Sequence, residues 1–203
     1  REINSAYTII VVNDGSKDKT ADVAIKYGAI VIDRKQNSGK GTVLKVGCDL
    51  AFNKNFKNII VMDADGQHLP QDIPRIVEKL QKTDIVYTYR VGKGKQPLLY
   101  KIGNWGLNFL VGIFFRVWIK DTQCGMRGFN RKAYKQIRWQ SKGFSLETEI
   151  IARSKNLRYR EIPIVKIYEE EHKEEGKGTR PSTGFKILWE MIKWKFGGLK
   201  KNR

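Results

Sequence analysis

The sequence contains few cysteines and no long apolar run, and each absence excludes a class of protein. Cys48 and Cys124 lie far apart and belong to no CxxC motif, so they predict neither a disulfide framework nor a zinc site and indicate a reducing compartment. A single disulfide is the less favoured alternative. No apolar stretch approaches the roughly 18 residues of a membrane-spanning helix, and the opening REINSAYTII lacks the pattern of a signal peptide. We therefore expect a cytoplasmic protein, either free or bound peripherally to the cytosolic face of a membrane.

Positive charge is what the sequence has in excess. Its 203 residues include 39 lysines and arginines against 21 aspartates and glutamates, a formal net charge of +18. Such a surplus favours partners rich in phosphate, namely nucleic acid, an anionic membrane surface or phosphorylated small molecules. Composition does not choose among these partners, but the 40% hydrophobic content predicts a folded domain with a substantial core.

The first half of the chain alternates between predicted strands and predicted helices. The strands are expected in segments 7–16, 29–34, 58–65 and 84–90, and helices in segments 16–28, 37–55 and 70–82. This alternation predicts parallel βαβ units, whose ligands bind beyond the carboxyl ends of the strands. Asp14, Asp63, Asp65 and Arg90 all fall at such ends.

The second half has a different character. It contains a long aromatic segment (97–119), a polar turn leading into a short helix (121–137), a helix (143–156), a strand (159–168), a charged loop (169–183) and a basic amphipathic helix (184–203). The aromatic segment is either a buried helix or one at a membrane interface. For the last helix, docking onto the domain and lying in an anionic membrane interface are both open, and its tryptophans beside lysines favour the membrane.

Asp63 and Asp65 follow an apolar run at a spacing of two residues. In extended backbone such side chains point to the same side, so both carboxylates can face one divalent cation, with Gln67 adding an amide oxygen. Oxygen ligands suit Mg²⁺ or Mn²⁺, which also bridge to diphosphates. The alternative is a solvated turn, since Asp and Gly are common in turns. We expect His68 to be a neighbouring surface residue.

Two other motifs have local explanations. Gly39-Lys40-Gly41 matches neither the P-loop nor the GxGxxG pattern, and a tight loop is the favoured interpretation, although such a loop at a helix start also suits phosphates. Asp14, in the sequence NDGS, either shapes a turn or contacts a nucleotide base. The turn is favoured when the motif is taken alone.

Five motifs together resemble family 2 glycosyltransferases and occur in the order seen in that family. They are VVNDGSKDKT, NSGKGTVLKVG, VMDADGQHLPQDIP, DTQCGMRGFNRKA and GFSLETEI. The resemblance covers nearly the whole chain and is strongest to the branch that makes polyprenyl-phosphate sugars, such as dolichyl-phosphate mannose synthase and dolichyl-phosphate glucosyltransferase; DTQCG is closer to the glucosyltransferase. It implies an α/β GT-A fold, a Rossmann-like, mostly parallel sheet flanked by helices, with amphipathic interfacial helices.

The resemblance also implies a division of the chain and roles for its residues. Residues 1–168 correspond to the catalytic domain, 169–183 to a mobile charged loop and 184–203 to the C-terminal helix. The implied donor site consists of Asp14, Lys40, Asp63 and Asp65, and the implied metal site of Asp63, Asp65 and Gln67. The implied catalytic residues are Asp65, Arg90, Asp121 and Arg127. The implied acceptor or lipid site consists of Arg127, Glu149, Arg180, Trp189 and Trp194. The family pattern begins with a strand ending near Pro-x-Tyr-Asn-Glu, and this sequence starts after that point. A sheet without that strand has an exposed edge.

These implications lead to one functional hypothesis and two alternatives. The hypothesis is an inverting transferase, dependent on Mg²⁺ or Mn²⁺, that moves one sugar from a UDP- or GDP-sugar to a polyprenyl (dolichyl) phosphate on the cytosolic membrane face. The first alternative extends a surface glycan at a hydroxyl acceptor, which needs a general base, and Asp121 is the candidate. The second is a nucleic-acid-binding module, but no motif of that kind is evident, so we expect no nucleic-acid partner.

Overall fold

The structure, a computed structural model, describes residues 6–91, 98–143, 145–165 and 181–199. Arg180, and the part of the predicted charged loop that runs from 169 to 180, lie outside the described residues. The strands are β1 (Ile10–Asp14), β2 (Ile30–Arg34), β3 (Asn58–Val61), β4 (Ile85–Val91), β5 (Arg127–Asn130) and β6 (Tyr159–Val165). The helices are α1 (Thr20–Lys26), α2 (Lys40–Asn53), α3 (Ile73–Leu80), α4 (Leu98–Phe115), α5 (Arg131–Ile137), α6 (Leu146–Arg153) and α7 (Pro181–Gly197), and a 3₁₀ turn at Pro70–Asp72 precedes α3.

The described strands form two sheets. β1 and β2 pair in parallel, and the second sheet has the order β3-β5-β4-β6. β4 and β6 are parallel, whereas β5 runs antiparallel to both of its neighbours. Among the described strands, β1 pairs only with β2 and β3 pairs only with β5. Among the described residues, one side of each of these strands therefore lacks a strand partner.

The α/β fold class is confirmed, but the sequence missed β5. Residues 121–137 were predicted as a turn leading into a helix, and this prediction is wrong for Arg127–Asn130, which pairs with β3 and β4. Four residues with a glycine and polar ends show no periodicity of their own, so the strand exists because two longer neighbours offer it hydrogen bonds. The third predicted strand is also shorter than expected and ends at Val61.

The last helix is part of the domain. Ile187 and Met191 of α7 are buried in the same hydrophobic cluster as Val111 of α4 and Ile150 of α6. The docking alternative for this helix is therefore correct for one of its faces. Its opposite face exposes Phe185, Trp189 and Phe196, so the membrane alternative remains a proposal for that face.

The long aromatic segment behaves in a similar way. In α4, Val111 and Phe115 are buried, whereas Trp105, Phe109 and Ile113 are exposed on a face with a spacing of four residues. No helix in the part of the chain that the structure describes combines the length and the apolar character needed to cross a bilayer.

Candidate active site

Charged side chains from three parts of the chain, the loop after β3, the end of β4 and the start of α2, gather around one buried histidine. His68 lies in the loop after β3, with only 8% of its surface exposed. Burial lowers its pKa, the carboxylates of Asp63 and Asp65 oppose that effect, and the cations of Arg90 and Lys40 add to it. The four charges that act on this ring come from residues that the sequence predicted at strand ends or in the glycine-rich loop. The expectation that His68 lies at the surface is wrong, because the ring packs beneath the acids with its Nε2 4.0 Å from Oδ2 of Asp63.

Lys40 supplies the positive charge that Asp63 needs. The first residue of α2, it places Nζ 2.8 Å from Oδ1 of Asp63 and 2.8 Å from Oε1 of Glu147. Burial lowers the pKa of Lys40, but Glu147 and Asp63 outweigh burial, so the net effect raises the pKa. Lys40 is therefore a firmly charged cation between two carboxylates from different parts of the chain.

Glu147 is the site residue that the sequence analysis missed. It lies in the first turn of α6 and is buried. Its motif, LETE, contains two acids two residues apart, and the resemblance selected the second, Glu149. The first acid is the one that reaches Lys40, because the two side chains leave the helix in different directions.

Asp65 is exposed beside this cluster. Its Oδ1 accepts a hydrogen bond from the backbone N–H of Gln67 at 3.1 Å, which is the local turn expected as the alternative interpretation. Because β3 ends at Val61, the two acids lie in a loop, and the argument from extended backbone does not hold.

The two acids nevertheless fit a divalent cation. No group of three or more His, Cys, Asp or Glu side chains able to hold a metal occurs among the described residues. Mg²⁺ and Mn²⁺ sites that act on phosphates use one or two carboxylates and complete their coordination with substrate oxygens and water. Asp63 and Asp65, one part-exposed and one exposed, match such a donor set better than a closed structural site.

Arg90 and Asp121 form a second charged unit. Arg90, near the end of β4, donates from Nε to Oδ2 of Asp121 at 2.6 Å and from Nη2 to Oδ1 at 2.9 Å. The backbone N–H of Gln123 also donates to Oδ1 at 3.2 Å. This bidentate geometry fixes the plane of the guanidinium. With the backbone N–H of Arg90, which donates to Oδ2 at 3.4 Å, the carboxylate of Asp121 is engaged by four donors.

The loop between β2 and α2 is organised by Asp14. Its carboxylate accepts hydrogen bonds from the backbone N–H of Ser38 at 2.9 Å and of Gly39 at 3.0 Å, and from the Ser38 hydroxyl at 2.8 Å. Burial works to raise the pKa of Asp14, but these hydrogen bonds and the charge of Arg34 outweigh it and lower the pKa. Asp14 thus shapes the turn that delivers Lys40, and its predicted contact with a nucleotide base stays a prediction.

The same loop rests on the segment between α5 and α6. The backbone N–H of Gly41 donates to the carbonyl of Lys142 at 3.1 Å, and the indole of Trp139 donates to the carbonyl of Gly41 at 2.7 Å. A side chain on Gly41 would overlap the carbonyl oxygen of Ser141. The glycine is therefore required by the close approach of two backbones.

Glu149 holds that supporting segment in place. Its carboxylate accepts from the backbone N–H groups of Gln140 at 3.0 Å and Ser141 at 2.7 Å, and from Nε of Arg153 at 2.7 Å. The predicted role of Glu149 in contacting an acceptor needs correction. The side chain is 1% exposed and its oxygens are occupied, so it positions the segment behind Lys40.

Arg127 also needs correction as a substrate contact. It lies on β5, is 2% exposed, and donates from Nη2 to the carbonyl of Cys124 at 2.5 Å. Its neighbour Gly125 touches the site directly, because a Cβ at this position would overlap the carboxylate of Asp63. The segment 124–127 therefore forms the floor beneath Asp63, and Arg127 supports it from the interior.

Two exposed aromatic clusters lie on the helices that pack against each other. The α4 cluster consists of Trp105, Phe109 and Ile113 on α4 and of Trp118, which follows the helix and packs edge-on against Phe109; the α7 cluster consists of Phe185, Trp189 and Phe196. In the first, the rings of Trp105 and Phe109 stack at 5.6 Å. In the second, the ammonium of Lys193 lies 5.6 Å from the ring centroid of Trp189. Trp194 is half-buried and packs against the main core.

Comparison with known proteins identifies the family of the chain. The family model for glycosyl transferase family 2 matches residues 2–138. An uncharacterized protein of Methanocaldococcus jannaschii is 37% identical over 194 residues, which span 91% of this chain and 79% of the relative. The UDP-N-acetylglucosamine–dolichyl-phosphate N-acetylglucosaminyltransferase of Methanococcus voltae is 30% identical over 216 residues, which span 93% of this chain and 85% of the relative.

Solved structures match the fold at lower identity. The crystal structure of glucosyl-3-phosphoglycerate synthase from Mycobacterium tuberculosis, in complex with Mn²⁺, UDP-glucose and phosphoglyceric acid, superimposes with a TM-score of 0.69. The match covers 95% of this chain and 70% of that one, at 16% sequence identity. At this identity the likeness shows the fold alone, and it confirms the GT-A architecture that the sequence predicted.

Proposed function

The chain belongs to glycosyltransferase family 2, and on that premise we propose that it transfers a single sugar from a UDP-sugar to a polyprenyl phosphate at a membrane surface. The choice of acceptor rests on one observation, which is that the carboxylate of Asp121 is already occupied by hydrogen bonds. This carboxylate accepts hydrogen bonds from three nitrogens of Arg90 (the backbone N–H, Nε and Nη2) and from the backbone N–H of Gln123. A carboxylate engaged by four donors is a poor general base, and a hydroxyl acceptor needs a general base.

A phosphate acceptor removes that need. The second pKa of a phosphate monoester is about 6, so the attacking oxygen is already anionic at neutral pH. Such an acceptor needs cations to hold it close to the donor's own phosphates, and the site offers Arg90 and Lys40 within one cluster. The relative from Methanococcus voltae carries dolichyl phosphate as the acceptor in its name, which supports this choice.

The donor end of the site has a matching set of groups. Asp63 and Asp65, with the amide oxygen of Gln67, would hold Mg²⁺ or Mn²⁺, which when bound neutralises the departing diphosphate. Lys40 lies beside Asp63 and is placed to contact the same phosphates. Asp14 keeps the Lys40 loop closed through Ser38 and Gly39. The name of the relative from Methanococcus voltae contains UDP, which supports UDP over GDP.

A polyprenyl acceptor also requires contact with a membrane. The α4 and α7 clusters expose aromatic side chains beside lysines, as interfacial helices do. Trp189, with Lys193 over its ring, combines an apolar body with a cation, as side chains at a headgroup boundary do. We propose peripheral attachment through these clusters, on the cytosolic face.

The proposal is tested by transfer assays with purified protein and Mn²⁺. UDP-glucose and UDP-N-acetylglucosamine are each incubated with a polyprenyl phosphate in mixed vesicles, and with a soluble oligosaccharide as the competing hydroxyl acceptor. We expect a sugar–phosphate–lipid product by mass spectrometry, its loss in Asp65→Asn, and no sugar on the oligosaccharide. Transfer to the oligosaccharide with none to the lipid phosphate would overturn the proposal.

A further inference from the structure

A cavity of about 680 Å³ lies outside the charged cluster of the site. Its walls are the segment between α5 and α6 on one side and α7 on the other, and they include Ser141, Lys142, Lys186, Lys193, Trp194 and Gly197. Lys40, Asp63, Glu147 and Asp121 do not line it. A volume of this size suits a small ligand or a lipid headgroup.

The lining of the cavity carries a net positive charge, with four cationic side chains and two carboxylates, Glu149 and Glu190. Lys142, Lys186 and Lys193 contribute three cations, and only Lys193 has a carboxylate partner among the described residues, Glu190 at 3.2 Å. At the floor, Arg153 and Glu149 balance each other in a buried ion pair at 2.7 Å. The cavity therefore has a net positive lining that favours an anionic ligand.

The position of the cavity narrows the class of ligand further. Lys186 and Lys193 stand on either side of Trp189 in α7, the helix with the exposed aromatic cluster. Ile187 and Trp194 add apolar surface to the wall. Several lysines beside exposed aromatic side chains fit a phosphate group attached to an apolar or uncharged body.

We propose that this cavity binds a phosphate group, carried either by the headgroup of an anionic lipid or by a small soluble phosphate, at a site separate from the donor cluster. The occupant would also influence the loop between β2 and α2 that delivers Lys40, here called the donor loop. Ser141 and Lys142 line the cavity. The carbonyl of Lys142 also accepts a hydrogen bond from the backbone N–H of Gly41, the residue after Lys40, and the carbonyl of Ser141 lies close against the same glycine. A ligand held by Lys142 restrains the segment on which the donor loop rests. This inference does not depend on the sugar acceptor.

One arm of the test fills the cavity without changing its charge, and a second arm removes charge from its lining. Gly143 and Gly197 both line it, and a side chain at either position meets no atom within 4 Å, so Gly197→Gln and Gly143→Gln occupy the space while the fold is kept. Lys186→Gln/Lys193→Gln removes two lining charges. Its matched control is Lys26→Gln/Lys195→Gln, which removes two charges, one of them on the same helix, from positions outside the lining.

Two probes distinguish the sources of phosphate. The first is flotation with phosphatidylcholine vesicles, with and without phosphatidylserine. The second is the shift of the melting temperature with inorganic phosphate, against sodium chloride at equal ionic strength. We expect each glutamine substitution at a glycine, and Lys186→Gln/Lys193→Gln, to weaken binding to the responsive probe by about tenfold, and the control pair by no more than about threefold.

Each outcome decides the proposal. A response to anionic vesicles alone that the cavity variants lose identifies a lipid headgroup, and a response to inorganic phosphate that they lose identifies a soluble ligand; both support the site. The proposal is overturned if the folded Gly197→Gln and Gly143→Gln proteins bind as the unmodified protein does. It is also overturned if the two lysine pairs cause equal losses, because the positive charge then acts diffusely. If one glycine variant does not fold, the other, on the opposite wall, carries the test.

Discussion

Lys40 and Asp63 form an ion pair with 2.8 Å between Nζ and Oδ1, across a sequence separation of 23 residues. This contact explains how the chain tolerates an acid directly beyond a buried strand. Lys40 also reaches Glu147, so one ammonium group joins the loops that follow β2 and β3 to the start of α6. Because the ammonium occupies the carboxylate that would bind a divalent cation, the two cations compete for Asp63.

Replacement of Lys40 is therefore expected to strengthen metal binding in the absence of nucleotide. In Lys40→Gln the carboxylate of Asp63 loses its cationic partner, and we expect the affinity for Mn²⁺ to rise about fivefold, the size of a part-exposed ion pair. Electron paramagnetic resonance of free Mn²⁺ measures this change. Lys54→Gln, at the other end of α2, is the control and should leave the affinity unchanged. A weaker affinity in Lys40→Gln would mean that Lys40 orders Asp63 for the metal.

Asp65 and Asp121 are expected to differ in their importance for transfer to a lipid phosphate. Asp65→Asn removes one of the two carboxylates proposed to hold the metal, and we expect transfer to fall by roughly 100-fold. Asp121→Asn loosens the orientation of Arg90 but removes no base that a phosphate acceptor needs, so we expect transfer to fall by only roughly tenfold. Steady-state rates with polyprenyl phosphate compare the two variants at equal folded fraction. Equal collapse of both would point to a hydroxyl acceptor.

Gly125 is expected to tolerate no side chain. In Gly125→Ala the new methyl group overlaps the carboxylate of Asp63, so the acid must move or the floor must shift, at a cost of about 1–3 kcal/mol. We expect the stabilisation of the protein by Mn²⁺ and UDP together to be largely lost in a thermal-shift assay. Gly106→Ala, where the added methyl meets no atom within 4 Å, is the control. Normal ligand stabilisation in Gly125→Ala would show that Asp63 is not the ligand.

Asp84 is expected to govern part of the stability at acid pH. Burial works to raise its pKa, but hydrogen bonds from Arg158, Asn130 and Lys132 outweigh it and hold the pKa well below its usual range. A carboxyl whose pKa is depressed in the folded state stabilises the protein above the unfolded pKa, about 3.9, and this stabilisation is lost as the pH falls through the folded value.

Asp84→Asn should therefore lower the free energy of unfolding at pH 7 by about 2 kcal/mol. Below about pH 4, the free energy of unfolding of Asp84→Asn should also fall less steeply with decreasing pH than that of the unmodified protein. Urea unfolding at a series of pH values measures both effects. Asp22→Asn, at an exposed position on α1, should change neither. Parallel pH profiles for Asp84→Asn and the unmodified protein would contradict the assignment.

The α7 cluster is expected to anchor the protein to membranes. Because Ile187 and Met191 of α7 are part of the core, deletion of the helix would damage the fold, and substitution of its exposed face is the sharper test. We expect Phe185→Ser/Trp189→Ser to lower binding to vesicles by at least about tenfold. Tyr27→Ser removes an aromatic ring of similar exposure at the C-terminal end of α1 and should have no effect. Equal flotation of all three proteins would exclude α7 as the anchor.

The local pattern of residues determined much of this protein. Apolar β-branched runs that stop at Asp and Gly predicted β1 to β4, and the apolar stripes predicted α4 and α7, because side-chain period and turn chemistry act within a few residues. The positions of Asp14, Asp63 and Arg90 near strand ends followed from the same pattern, since parallel strands present their carboxyl ends at one edge.

The tertiary structure alone decided which of these residues work together. β5 forms because its neighbours offer backbone partners, Arg127 is buried because β5 lies inside the sheet, and Glu147 rather than Glu149 meets Lys40 because α6 is docked in one rotation. Each of these facts depends on contacts between residues distant in sequence, and short-range periodicity carries no information about the orientation in which two elements pack. The sequence therefore determined the elements and the chemistry available at their ends, and the packing decided which charges meet.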